Sequence, residues 1–503
     1  MSYKYIGIPQ KITYKDCCKN NFVFAPSKYS RFLPQNKNLF VPLSSLCKES
    51  KSKIKIKREK EYSYTEIGDI DVSSGNVDYK IYYGQDLPSD NPKSCKKGDI
   101  LISTVRTYRG GIGLVHNELC NHCCSPAILV VRSVTDERIS KEYLLSVMRT
   151  DFFTEQILGL QTRGMYPRLD SDAMDKVLVP IPKEYTIIHY VTQLSKAYQN
   201  KIDEIRNKHK EILLIIKREL DKNQKPIAFK YAMPRISEIR DVGRLDASLY
   251  KEFYKKELFN ILNYRGGYSP LTEQELEMIP GPSLELKLLG TRIDSDHFVK
   301  GFYRLITPKQ ITNYGVIKNE EFLGTPAKIT RIKFGDILFG ESGTGRTMVY
   351  LDDDNNTINN AHAHVLRSKA KNDLERIITI RSILQYYKEI GITDCMTVGG
   401  AGGHLSPSYF NRIMIPLFPK SIQEEIAKLY YNPQNGISVT SIDCFLDVDN
   451  FYNKKAGIYD LDRSAKFLKQ RLNMIIDDIV NERPIDMKMG LKEIEVMMNS
   501  IRK

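Results

Sequence analysis

Between residues 40 and 182 the apolar positions fall in short dense runs rather than in long stripes. Gly98 to Val105, with Ile100-Leu101-Ile102 inside it, and the apolar run Ala127 to Val131 read as buried strands. Tyr108-Arg109-Gly110-Gly111 marks a turn at the end of the first. From Ser140 to Gly159, Leu145, Met148 and Phe152 recur at i, i+3 and i+7, which predicts a helix closed by glycine. The second half carries Ile380, Ile383, Leu384 and Tyr387 at helical spacing, so each half is mixed α and β.

The halves also share text. Lys97-Gly98-Asp99-Ile100-Leu101 returns as Phe334-Gly335-Asp336-Ile337-Leu338, an offset of 237 residues. Ala127, with its apolar run to Arg132-Ser133, returns as Ala363 running to Arg367-Ser368 with one residue lost. Leu169, Val179 and Pro180 fall on Leu405, Ile415 and Pro416 at an offset of 236. Matches in order at nearly one offset indicate a duplication rather than shared strand grammar.

Between the copies, Glu184 to Leu220 holds neither Gly nor Pro. Ile188, Ser195, Ile202, His209 and Ile216 occupy heptad position a, with Val191, Tyr198, Ile205, Ile212 and Glu219 at d. At about 1.5 Å per residue this is a rod of roughly 55 Å. Near the end of the chain Leu461, Ala465, Leu468, Leu472, Ile475 and Ile479 form a better seam. Pairing the two helices antiparallel covers both seams and separates the globular copies; the simpler alternative lays each helix on its own domain. The expected segments are a lead 1–39, a first globular copy 40–183, a central helix 184–222, a second copy 223–419, a C-terminal helical region 420–483 and a tail 484–503.

Length and charge narrow the class. A chain of 503 residues suits several domains, and its net charge of +14 favours a polyanionic partner, nucleic acid first. A membrane surface is the rival, but no exposed basic amphipathic helix and no long apolar run answers to it, so a cytoplasmic, soluble protein is expected. Nine cysteines in so long a chain, with Cys17 and Cys18 adjacent, suit reduced thiols rather than a disulfide framework. Lys51, Lys53, Lys55 and Lys57 alternate with Ser52, Ile54 and Ile56, so an extended strand carries four ammoniums on one face. Such a row tracks phosphates or protects a solvated edge.

Candidate chemistry concentrates in loops. Gly340-Glu341-Ser342-Gly343-Thr344-Gly345-Arg346-Thr347 nearly spells a P-loop, but Arg346 replaces the lysine and Met348-Val349-Tyr350-Leu351 continues as a strand where a helix is required. A Gly-rich loop with an Arg tip instead lets backbone approach DNA while Arg346 reaches a guanine edge, with Glu341, Ser342 and Thr344 beside it. Thr104, Arg106, Tyr108 and Arg109 occupy the corresponding place in the first copy. A second pair of loops, around Gln161, Arg163 and Tyr166 and around Gly399 to His404, precedes the terminal strands and offers further base readers. Their bland alternative is a tight turn. Cys120-Asn121-His122-Cys123-Cys124 is half a zinc site without a second pair. His362 and His364 share a strand face, with no carboxylate partner fixed by sequence and a hydrogen-bonded or base-facing role. No esterase elbow, zinc-protease helix or methyltransferase signature is present, so no catalytic residue, metal or cofactor site is assigned.

These residues resemble a family. The duplicated Gly-Asp-Ile-Leu strand, the terminal strands Val177-Leu178-Val179-Pro180-Ile181-Pro182 and Ile413-Met414-Ile415-Pro416, the long helices, and Arg244-Leu245-Asp246-Ala247-Ser248-Leu249-Tyr250 look like the specificity subunit of type I restriction-modification enzymes. The resemblance covers most of residues 40–480. It implies two target recognition domains, each reading half of a bipartite double-stranded DNA site, held apart by an antiparallel helical pair. It also implies two methyltransferase subunits that dock against this helical frame and carry S-adenosylmethionine, a restriction and translocase subunit, and no bond chemistry in this chain. The sequence departs from the family in a loop expected over Asn432 to Lys455, in a first copy showing only Ser27-Lys28-Tyr29 for the Arg-Leu-Asp lead, and in the Met- and Lys-rich tail, which docks a partner or caps the helices. The rival classes are a standalone nucleotide-hydrolysing enzyme or nuclease, and a scaffold that binds nucleic acid by charge alone.

Overall fold

The repeated Gly-Asp-hydrophobic text folds identically in both places. In the computed structural model, which describes residues 4–499 apart from 20, 21, 23, 25–28, 35, 37, 38, 161–173, 246, 342–344, 371, 372 and 399–402, Gly98 and Gly335 take φ of 81° and 84°. Glycine adopts this left-handed turn without a Cβ penalty. The next residue closes the turn: Asp99 accepts from Lys96 N at 2.8 Å and Asp336 from Lys333 N at 2.7 Å.

Each turn launches a fully buried strand, Ile100–Ser103 in one copy and Ile337–Gly340 in the other. Both lie inside antiparallel four-stranded sheets of the same order. The first is Cys47–Glu49, Ile128–Val134, Ile100–Ser103, Ile112–Leu114; the second is Leu276–Pro280, Ala363–Ser368, Ile337–Gly340, Thr347–Val349. Leu101 faces Val130 and Leu338 faces Val365. That register corrects the text alignment, because Ile128 stands opposite Ser103 as Ala363 stands opposite Gly340. Ala127 therefore corresponds to His362.

A second four-stranded sheet accompanies each. In the first copy its order is Lys80–Tyr83, Glu61–Thr65, Cys123–Cys124, Lys93–Ser94; in the second, Ile293–Ser295, Glu321–Gly324, Tyr303–Leu305, Thr357–Ile358. Each contains one parallel pair, Cys123 with Tyr64 and Arg304 with Thr357. Terminal strands Leu178–Pro180 and Met414–Pro416 pair antiparallel with Phe40–Pro42 and Tyr268–Pro270.

The helix expected from Ser140 to Gly159 is two helices, Lys141–Met148 and Asp151–Leu160. The break falls at Arg149, whose guanidinium leaves the helix to donate to the carbonyls of Ile112 and, at 3.0 Å, Ser73. Its counterpart Arg381 sits in the unbroken helix Leu374–Glu389, fully buried, and donates to Thr347 O at 3.0 Å. Each arginine lies on a glycine with positive φ, Gly75 or Gly315, where an added Cβ would meet guanidinium nitrogen at 2.2 or 2.4 Å.

The chain forms two compact units: Met1–Asp203 with Gln434–Lys454 and Arg463–Lys503, and Glu204–Pro433 with Lys455–Asp462. The long helix Tyr185–Lys222 carries the chain from the first unit into the second, and the helix Ile458–Val480 carries it back. The heptad residues are inside, Val191 and Leu468 at 0% exposure and Ile212 and Ile475 at 1%. Within the first unit, Ser195, Tyr198 and Gln199 of the outgoing helix and Lys469, Leu472 and Asn473 of the returning one line a single small cavity.

The loop expected over Asn432 to Lys455 is largely a helix, Ile442–Lys455. Its buried face is Phe445, Asp449, Tyr452 and Asn453. Lys201 meets that face without solvent, its Nζ 2.6 Å from Asp449 Oδ1 and 2.7 Å from Asn453 Oδ1, above the Tyr452 ring. Burial pushes the Lys201 ammonium pKa down and the Asp449 carboxyl pKa up, each opposed by the other's charge. The lead and tail belong to the first unit: Tyr5 donates to Asp477 at 2.6 Å, and the tail helix Met487–Met498 buries Leu491, Ile494 and Met498. Among the described residues no helix is long and apolar enough to cross a membrane.

Candidate nucleic-acid interface

In the second unit the sheet end gathers three predicted residues. Glu341 follows strand Ile337–Gly340, and its N–H donates to His362 O at 3.0 Å, just before strand Ala363–Ser368. Leu405 N donates to Glu341 O at 2.8 Å, and Val398 and His404 exchange two backbone bonds at 2.8 and 2.9 Å. These bonds tie three loops together. They place the exposed His362 and His404 rings 6.3 Å apart, between their centroids.

Glu341 itself turns inward. Its carboxylate pairs with His364, which is 8% exposed, so this histidine has the carboxylate partner that sequence did not reveal. The expectation that His362 and His364 share a strand face fails, because the strand begins at Ala363 and leaves His362 in the preceding turn. Burial lowers the His364 imidazole pKa, with the Glu341 charge opposing. Arg346 is half-buried and donates to Ile311 O at 3.1 Å, while its carbonyl accepts from Gly340 N at 2.9 Å. It braces the base of its loop in this conformation. Thr347–Val349 is a strand, as the sequence pattern requires, where a P-loop would need a helix.

His362 also borders an open groove of about 620 Å³ walled by Leu284, Arg292, Lys309, Glu321 and Asn360. Arg292 and Lys309 are paired there, with Asp294 at 3.0 Å and Glu321 at 3.1 Å, and Asn360, whose Oδ1 accepts from His362 N at 3.2 Å, lines the same groove. Sequence reasoning missed Asn360, although Asn359-Asn360-Ala361-His362 is a polar run abutting a buried strand, a usable signal.

The first unit presents its loop at the equivalent position. Thr104 donates from N at 3.0 Å and from Oγ1 at 2.8 Å to Ala127 O, the counterpart of the Glu341 to His362 bond. Thr107 is buried and donates to Ser103 O, forcing the turn that holds Tyr108 half-buried and Arg109 exposed. Arg106 has φ of 51°, a left-handed conformation uncommon outside glycine, where it leads into the turn Thr107–Arg109.

Lys51, Lys53, Lys55 and Lys57 are all exposed, while Ile54 and Ile56 pack beside Tyr62, Tyr64 and Cys123. The alternation holds without the expected ladder strand. Only Lys53 bridges to Lys93, because Tyr62 Oη occupies the Lys57 N–H at 2.9 Å and the Lys55 carbonyl at 3.2 Å. The row thus flanks the second sheet, not the sheet that carries Thr104 and Arg109. Gln161, Arg163, Tyr166, Ser342 and Thr344 lie outside the described residues. Of the cysteine cluster, Cys123 and Cys124 are core strand, and buried His122 meets Thr65 Oγ1 at 3.0 Å with its pKa lowered to about 4 by burial. Arg244 clamps the carbonyls of Met396 and Thr397 at 2.8 Å each, fixing one base of the loop that ends at His404.

Residues 289–431 match the family model described as Type I restriction modification DNA specificity domain, a stretch that holds Glu341, His362 and His404. The Type I restriction enzyme HindI specificity subunit of Haemophilus influenzae is 28% identical over 115 residues, 22% of this chain. The aligned region spans about a quarter of that relative, 25% of its length. Among solved structures, the HsdS subunit from Thermoanaerobacter tengcongensis is 18% identical with a TM-score of 0.30, covering 88% of this chain and 96% of its own. The S subunit of a type I restriction-modification system from M. genitalium is 13% identical with a TM-score of 0.37, covering 90% of this chain and 99% of its own.

Proposed function

We propose that this chain, whose residues 289–431 carry a type I restriction-modification DNA specificity domain, is the sequence-specificity subunit of such a complex. One observation carries the reading: two units built on the same Asp-anchored sheet each present a polar loop at the same sheet end, Thr104 to Arg109 in one and Glu341, His362 and His404 in the other. Two like readers in one chain suit a two-part double-stranded DNA site. Base edges in the major groove supply discrimination, about 1–3 kcal/mol for each good bidentate contact, and exposed lysines such as Lys51 to Lys57 hold phosphates.

In this reading the chain selects the address and performs no bond chemistry. Methyl transfer belongs to two methyltransferase subunits that bring S-adenosylmethionine, and cleavage to a restriction and translocase subunit. The two long helices set the distance between half-sites. Base-resolution methylation mapping of host DNA, with and without the gene, tests it. A two-part motif with an unspecified gap that disappears with the gene is the expected result; a methylation map unchanged by deletion in an expressing strain counts against it.

A further inference from the structure

The second four-stranded sheets of the two units differ at one edge. In each, a strand of the parallel pair runs into a capped turn, where Glu66 N donates to Asp69 at 2.8 Å and Thr307 N to Gln310 at 2.6 Å, and the registers align Tyr64 with Leu305. The neighbouring strands Lys80–Tyr83 and Glu321–Gly324 therefore correspond, with Tyr82 facing Tyr62 as Leu323 faces Tyr303. In the second unit a further strand, Ile293–Ser295, pairs on the far side of Glu321–Gly324. Phe298 sets its ring 5.8 Å from that of Phe322, which is only 6% exposed. Exposed Arg292, Asp294 and Asp296 border the new edge, charges that discourage further pairing.

In the first unit Lys80–Tyr83 is itself the outermost strand, and among the described residues no strand pairs with its far side. Gly84 N donates to Lys60 O at 2.9 Å, so the ladder bonds alternate onto Tyr82 and Lys80, and the backbone groups of Tyr79, Ile81 and Tyr83 point outward. The same three side chains share one face, at 38%, 65% and 51% exposure, while Tyr82 turns inward to Tyr64 with ring centroids 6.0 Å apart. Lys80 carries this strand's charge and leans to Asp69 at 3.6 Å. A bare, apolar edge of this kind is a template for another strand.

We infer that this edge pairs antiparallel with the same edge of a second copy of the chain, joining two chains through their first units about a two-fold axis at Ile81. In such an isologous contact each strand meets itself, so its sequence must be self-complementary. Centred on Ile81 it is: Ile81 faces its own copy, Tyr79 of each chain faces Tyr83 of the other, and Lys80 lies beside Tyr82. The outward N–H and C=O groups of the three residues are then bonded, and the two exposed stripes merge into one apolar strip. Centring on Lys80 would instead set two ammoniums opposite each other, which is destabilising. The second copy supplies to the first unit what Ile293–Ser295 supplies within the second. The inference goes beyond the function proposed above and does not depend on it.

A strip this short buries less than about 1,200 Å², the class of transient interfaces. The test is sedimentation velocity of the full chain from about 1 to 100 µM, in salt of about 0.3 M to screen the repulsion between two chains of charge +14. The parent should pass from monomer to dimer over that range. Ile81→Lys sets two ammoniums face to face on the axis and should weaken association by about tenfold or more, with melting temperature and DNA binding as in the parent. Two double variants separate pairing from folding. Tyr79→Lys with Tyr83→Glu places opposite charges across the axis and should keep the dimer, whereas Tyr79→Lys with Tyr83→Lys places like charges there and should lose it, although both remove the same tyrosines. A parent that stays monomeric overturns the inference, as does an Ile81→Lys chain that associates like the parent, or equal association by the two double variants. Loss of DNA affinity in Ile81→Lys with a monomeric parent also overturns it and assigns the stripe to DNA. A methylation map that refutes the specificity role leaves this result standing, because association is read on the chain alone.

Discussion

Arg367 closes on Asp336 at 2.7 Å, and the same pair recurs in the other unit as Arg132 on Asp99 at 2.9 Å. Each carboxylate is almost fully buried, at 1% exposure, beneath a partly exposed guanidinium, and it also closes the turn that launches the central strand. Removing the arginine leaves a buried charge with backbone partners only. Arg367→Met is therefore expected to destabilise the second unit by about 3 kcal/mol, on the order of 6–12 °C in its melting. Arg132→Met should do the same to the first unit. Calorimetry that finds either variant melting with the parent would show that the turn alone holds the aspartate.

His122 gives the first unit a pH dependence. Its folded pKa is about 4 against 6.5 when exposed, because burial disfavours the imidazolium. Between those values the unfolded chain binds a proton that the folded chain refuses, so stability rises with pH across the window and falls on acidification. The full effect is at most about 3 kcal/mol. His122→Gln should flatten the decline in melting temperature between pH 6.5 and pH 4 relative to the parent; parallel profiles would reject the assignment.

Some of this was legible in sequence and some was not. The Gly-Asp-Ile-Leu strands were visible because a doubly buried strand must be continuously apolar, and its launching turn needs glycine then aspartate. The Arg–Asp pairs were not, since Asp99 and Arg132 meet only through sheet register. The helix Ile442–Lys455 was hidden for a chemical reason: Asp449 and Asn453 occupy its inward face and break the apolar stripe that marks a helix. Those polar residues answer Lys201, 248 residues away from Asp449, and neither partner announces the other. The site was legible as loops, but the inward turn of Glu341 toward His364 required three dimensions.

His362 and His404 are expected to read bases in one half-site only. His404→Ala or His362→Ala should relax discrimination at one or two positions of the second unit's half-site, by about 1–3 kcal/mol for each base-edge interaction removed, leaving the other half unchanged. Binding selections on randomised duplexes measure this directly. An equal loss on every sequence would mean that the imidazoles touch phosphate.

Lys51, Lys53, Lys55 and Lys57 should behave in the opposite way. They stand in the open with Ile54 and Ile56 packed beneath them, so replacing the four with glutamine leaves the fold intact. Affinity should fall on all sequences alike, and the slope of log K against log salt should become shallower by about 0.9 for each phosphate no longer neutralised. An unaltered slope would identify the row as edge protection for the sheet.

The long helices make the most demanding prediction, because under the proposed function they measure DNA. The unit boundary falls after Asp203 in the outgoing helix and after Asp462 in the returning one, so residues 202–208 and 461–467 are one heptad of each helix where the chain passes between the units. Deleting both removes about 10 Å of rod and preserves the seam, since a heptad shifts the helical phase by only about 20°. Ten ångströms is roughly three base pairs of duplex at about 3.4 Å each, but three base pairs also turn the DNA by about a third of a turn. The second half-site would then face away from its reader unless the complex twists. The expected outcome is either a target with a shortened unspecified gap and unchanged half-site sequences, or no specific binding. A deletion chain that still selects the parent's target with the parent's gap would show that the helices do not set the spacing.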